Sequence, residues 1–234
     1  MKKGKLIGMG LLLGALLLVG CGNGDKVNVK EERIRLLVRP ILKKLEKLDI
    51  DYTDLEDDLV KELSGFPEDM LEDNPINLVS GTTFNYLGTK EYLVSKGVAS
   101  SQLDKIYSFD MEVTDIERMY SIFLNQVMAL SKGELVFSDI SEDLSAVDLE
   151  KGTGTFVVKF VYKGKSYEYP AKFYYDWFDP EIVLFVNQVL EEHGNEKRLY
   201  GMSDGYQALI LFYATEEWAA AFNQAFKPDF ELTK

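Results

Sequence analysis

The chain has 234 residues, 46% of them hydrophobic and only 6 of them proline. That composition excludes a disordered or collagen-like polymer and leaves room for one large domain or two small ones. Its 39 acidic side chains outnumber 26 basic ones, which excludes a nucleic-acid binder that neutralises phosphates with Lys and Arg, while one histidine and one cysteine exclude a Cys/His zinc centre.

The first element is a leader. Lys2, Lys3 and Lys5 form a basic head, and Leu6 to Gly20 carries no charge. Fifteen such residues rise roughly 22 Å as a helix, short of the roughly 30 Å of a hydrocarbon core, so a retained membrane span is the poorer reading. The run ends at Leu18-Val19-Gly20-Cys21, whose cysteine is the single one in the chain. A basic head, an apolar middle and a small-residue cut site are the pattern of a secretory leader. With that cysteine it resembles the lipobox of bacterial lipoproteins. The resemblance implies that 1–20 is a signal peptide and that diacylglycerol and palmitate are carried on Cys21. The membrane is then a partner, and the protein sits on its extracytoplasmic face. Two or more acyl chains anchor stably where one is marginal. Without the leader, 23 basic side chains would face 39 acidic ones, a balance near −16.

Residues 21–30 read as a polar tether, 31–104 as a mainly helical region and 105–234 as an α+β domain. The charge is polarised: residues 25–48 hold eight basic and four acidic side chains, whereas 49–73 hold eleven acids and Lys61. The basic part lies beside the anchor, where an anionic membrane attracts it; the acidic part is free to face a partner. Ile34, Leu37, Val38, Ile41, Leu42, Leu45 and Leu48 follow helical spacing, with Pro40 expected to kink or restart the helix. Thr53 and Glu56 look like a capping box for a second helix toward Leu63. From 64 to 104, glycines and prolines break every pattern.

Lys105 to Val113 alternates as a strand. Thr114 and Glu117 suggest another capping box, ahead of a helix with Ile116, Met119, Tyr120, Phe123 and Val127 on its apolar face. Phe156 to Tyr162 reads as a strand, Lys163-Gly164-Lys165 as a turn and Ser166 to Tyr175 as the returning strand, with Pro170 marking an edge or a bulge. Asp179-Pro180-Glu181 starts a helix that buries Ile182, Phe185, Val186, Val189 and Leu190 and stops at Gly194. Two strands, Lys197 to Met202 and Gln207 to Ala214, precede a last helix opened by Thr215 and carrying Trp218, Phe222, Ala225 and Phe226 on one face. The fold class is α+β: an antiparallel sheet with packed amphipathic helices and a helical N-terminal part.

For chemistry the sequence offers little. His193 ends a helix, where a cation suits the dipole, and it is the only base for a serine triad. Gly152-Thr153-Gly154 precedes a strand, unlike a phosphate-binding loop. An EF-hand register from Asp49 fails, because Asp54 and Val60 stand where Gly and Glu are required. The carboxylate pairs Asp176/Asp179, Glu191/Glu192 and Glu216/Glu217 are sequence neighbours, whereas a glycosidase sets two acids across a cleft. We therefore expect no catalytic residues, no metal and no cofactor. The remaining feature is aromatic: Tyr167, Tyr169, Phe173, Tyr174, Tyr175, Trp177 and Phe178 crowd one strand and the turn after it. Core packing accounts for alternate members; the others suit a partner surface. Asp176, Trp177, Phe178 and Asp179, with Asp54, Asp57 and Asp58 of the acidic segment, are the expected partner-binding residues.

The order Tyr174-Tyr175-Asp176-Trp177, Phe185-Val186-Asn187, Lys197-Arg198-Leu199-Tyr200 and Phe212 to Trp218 is similar to small immunity-type domains that accompany bacterial polymorphic toxins. That resemblance covers about 80 residues and implies a non-enzymatic protein that blocks a secreted toxin, a basic one given this charge. An envelope structural or assembly lipoprotein and a transport-associated binding lipoprotein remain as alternatives.

Overall fold

The computed structural model describes residues 29–50, 52, 55–69, 75–89, 105–227 and 231–234. In chain order the elements are α1 (Val29–Glu46), α2 (Glu56–Ser64), α3 (Pro75–Gly88), β1 (Tyr107–Asp110), α4 (Met119–Leu130), β2 (Phe137–Asp148), β3 (Thr153–Tyr162), β4 (Lys165–Lys172), α5 (Glu181–Glu192), β5 (Lys197–Ser203), β6 (Ala208–Thr215) and α6 (Glu216–Phe226). The strands form two antiparallel sheets, ordered β1-β6-β5 and β2-β3-β4. This is the expected α+β class, with two small sheets in place of one.

The sheets are held together by helices that touch both: α4 packs on β1, β6 and β2, and α5 on β5 and β4. Strand β3 shows why one face is covered. Phe156, Val158, Phe160 and Tyr162 are buried while the residues between them are not, the period-two pattern of a half-buried strand. Pro170 lies on the edge strand β4, where a missing N–H costs no ladder bond. Strand β5, an edge of the other sheet, is satisfied differently. The buried Asn187 amide donates to the Leu199 carbonyl and accepts from its N–H, both at 2.8 Å. Gly201 pairs with Thr233. One buried cluster runs from Ile34 to Leu232, so α1 and α2 share a core with the sheets.

Two local expectations are corrected and a third, at Pro40, is narrowed. The helix begins at Val29, so Val29 and Lys30 are not tether. Lys30 donates to the carbonyls of Ser64 and Phe66 at 2.8 and 2.7 Å, placing a cation at the negative end of α2. Pro40 does not restart the helix, which is continuous through it; the carbonyl left unbonded is that of Leu36, an exposed residue. Nor do Thr114 and Glu117 cap α4. A 3-10 turn at Ile116–Arg118 comes first, and Glu142 of β2 caps the helix from outside, accepting from the N–H groups of Ser121 (2.6 Å) and Tyr120 (3.3 Å). Burial pushes the Glu142 carboxyl above its ordinary value, against the pull of those donors. Thr53, of the first proposed capping box, lies outside the described residues.

Candidate functional site: a pinned tyrosine turn

Strand β4 ends at Lys172, and the segment from Phe173 to Pro180 turns the chain into α5. Backbone bonds fix it on three sides. Phe173 N–H donates to Gly154 O (3.1 Å), Val113 N–H to Asp176 O (2.8 Å) and Phe178 N–H to Met111 O (2.8 Å), while Trp177 N–H closes the turn on Tyr174 O (3.1 Å). Tyr175 has φ +53°, a left-handed conformation unfavourable for a bulky residue. The returning strand, expected to reach Tyr175, ends at Lys172. A Cβ on Gly152 would come within 2.4 Å of the Tyr175 ring, so this glycine lets the ring lie flat on the β2–β3 hairpin.

The exposed members of the aromatic run are therefore Tyr174 (63%) and Tyr175 (46%), set edge to face at 5.5 Å between ring centres. The expectation that Asp176-Trp177-Phe178-Asp179 is the exposed part is corrected. Phe178 is 3% exposed and packs among Phe109, Tyr120 and Phe123 at 5.0–5.1 Å. Asp179 is 8% exposed. Its Oδ2 accepts from the Tyr169 hydroxyl and the Lys172 N–H, both at 2.9 Å, and its Oδ1 from the Glu181 N–H at 3.1 Å. Burial, then the adjacent Asp179 carboxylate, pushes the Tyr169 phenol well above its usual range. Asp176 and Trp177 are half-buried.

Of the acidic segment, Asp54 lies outside the described residues. Asp57 and Asp58 sit in the first turn of α2, where carboxylates favour the dipole. The acids there do not simply face outward, since Arg35 bonds Glu56 (2.8 Å) and Asp57 (2.6 Å), and Arg39 bonds Glu56 (2.9 Å). The two oppositely charged stretches of sequence thus neutralise each other in part. Burial alone would raise the Glu56 carboxyl, but Arg39 and Arg35 outweigh it and hold it below its ordinary value. A carboxyl lowered on folding stabilises above its unfolded pKa, roughly 4.3, and loses that contribution as pH falls through the folded one. We expect the urea-midpoint difference between the wild type and Glu56→Gln to be constant above about pH 5 and to shrink below about pH 4.

The other candidates are engaged structurally. His193 caps α5, and its Nε2 lies 2.7 Å from the Tyr167 hydroxyl. Glu192 pairs with Lys165 and accepts from Tyr167 (3.1 Å). Among the described residues no group of three or more His, Cys, Asp or Glu side chains could hold a metal ion, and no helix is long and apolar enough to cross a membrane. Cys21, the expected lipid attachment site, lies outside the described residues. No family model, no curated protein and no solved structure matches this chain.

Proposed function

We propose that this chain is a lipoprotein tethered through Cys21 to the extracytoplasmic face of a bacterial membrane, and that it acts by binding a protein partner. An immunity role against a secreted basic toxin is the specific form we favour. The leader pattern ending at Cys21 supports the tether, and the acidic excess supports a basic partner. The observation that carries the binding role is the tyrosine pair. Two exposed phenol rings are held on a rigid turn that bears an unfavourable φ at Tyr175. Strain kept in an otherwise well-bonded turn points to function, and rigid tyrosines lose little entropy on binding.

A photo-crosslinking amino acid at Tyr174, in the full chain expressed in its own cells, tests this. We expect one dominant cross-linked protein, with none when the probe replaces Leu36, an exposed apolar residue of α1. A secreted basic protein supports the immunity form; a permease or a cell-wall assembly protein replaces it with a transport or envelope role. Absence of any adduct at Tyr174 removes the turn as the binding face. Cys21→Ser should abolish lipid labelling; persistence of the label would overturn the tether.

A further inference from the structure

A cleft of about 300 Å³ opens between the turn after α1, the end of α4 and the β6–α6 corner. Its wall is apolar and mostly aromatic, formed by Leu130, Phe212, Tyr213 and Trp218. The wall is rigid before anything binds. Trp218 Nε1–H donates to Leu48 O at 3.0 Å, its backbone N–H to the Thr215 hydroxyl at 3.3 Å, and its ring lies 5.4 Å from that of Phe212. Tyr213 and Trp218 are only half-buried and line the cleft, so each presents part of its ring to a guest. The volume is at the low end for small-molecule sites, roughly 300–1,000 Å³, and suits one or two fused rings.

The rim carries Lys105, Lys132 and Lys197 against Asp49 and Glu134. This is a local cationic excess on a protein whose net charge is −13. Glu134 is already bonded to Lys197 at 2.5 Å, and Lys105 donates to the Asp49 backbone carbonyl. An ammonium has three donors, so Lys105 and Lys197 keep N–H groups beyond these bonds. Lys197 also stands 5.4 Å from the centre of the Tyr213 ring, at the junction of charged rim and aromatic wall.

We propose that this cleft binds a small organic anion with a flat apolar body, its rings against Trp218 and Tyr213 and its carboxylate or sulfonate at Lys105 and Lys197. The site is independent of the tyrosine turn and of the tether.

Trp177 and Trp218 are the only two tryptophans, which gives a direct readout. The full chain, in dodecyl maltoside and labelled with heavy nitrogen at tryptophan, yields two indole N–H resonances; Trp218 is the one that remains in Trp177→Phe. Titration with naphthalene sulfonate should shift the Trp218 resonance saturably and leave Trp177 unmoved. The neutral naphthalene methanol should bind about ten-fold more weakly, the scale of one partly screened charge pair. Lys105→Ala and Lys197→Ala should each weaken the sulfonate several-fold. Equal affinity for the neutral analogue, or a parallel shift of both resonances, overturns the proposal, as does no shift at all. These comparisons use the unaltered residues of the cleft and stand even where a lysine variant folds poorly.

Discussion

Asp179→Ala should destabilise the protein by about 2–3 kcal/mol, one of the two largest single-residue losses we expect outside the apolar core. The carboxylate receives three donors, from Tyr169, Lys172 and Glu181, and is 8% exposed. Its removal takes the acceptor from the Tyr169 hydroxyl and the Lys172 N–H, both part-buried, so each loss lies at the lower end of the about 1–3 kcal/mol that an unsatisfied buried group costs. It also uncaps α5, which adds about 1 kcal/mol. The terms share one side chain and do not add fully. Asp179→Asn separates them. An amide oxygen can serve one side of the site, and the Tyr169 hydroxyl can turn to accept from the amide N–H₂. The Lys172 N–H cannot reverse its role, so about half the loss should remain. Tyr169→Phe removes a single donor and should cost about 1 kcal/mol. Urea midpoints at constant slope measure all three. Equal losses for Ala and Phe would show that the Lys172 and Glu181 bonds contribute nothing.

The same residue shows how far the sequence could be read. Asp179-Pro180-Glu181 announces a helix start, and the structure places α5 there. Yet Asp179 was also an expected partner-binding residue, and the two roles exclude each other. A carboxylate spent on a cap and a neighbouring strand is withdrawn from the surface. Which tyrosines remain outside depends on the positive φ of Tyr175, and nothing in the local pattern announces it. Strand β3 is legible because it is a short apolar run closed by the Lys163-Gly164 turn, and β6 because 208–213 is a short continuous apolar run, the pattern of a strand buried on both faces. The sequence announces no element over strand β2. It carries Asp139, Glu142, Asp143 and Asp148, lies on an edge, and has register shifts at Ser138/Ser141 and Asp143/Ala146, which spoil the alternation that identifies a strand. Of its acids, Glu142 turns inward to cap α4. The cleft under Trp218 was invisible for another reason: its lysines come from residues 105, 132 and 197, and only the fold brings them together.

Helix α3 was hidden by glycines, and one of them supports the second large effect. Gly81→Ala should lower stability by about 2–3 kcal/mol and the melting temperature by roughly 5–10 °C, although a helix interior ordinarily gains up to about 1 kcal/mol from this exchange. Val79, Thr83, Phe84 and Leu87 are buried with helical spacing, so the face of α3 that meets the core is intact. Gly81 lies where α3 meets the turn between β5 and β6. A Cβ there would fall 2.2 Å from the Asp204 carbonyl oxygen and 3.1 Å from its carbon. That backbone has little freedom to retreat. The Asp204 side chain, 7% exposed, accepts from the N–H groups of Tyr206 (2.8 Å) and Ala208 (3.1 Å) and locks the turn. The helix must therefore move away, loosening Phe84 from Phe212, Phe222 and Phe226, now 5.3–6.3 Å from it. Thr82→Ala, one residue along and half-buried, should stay within about 0.5 kcal/mol of the wild type. A Gly81→Ala protein as stable as the wild type, or more so, would mean that helix propensity governs this position and that α3 does not approach the turn so closely.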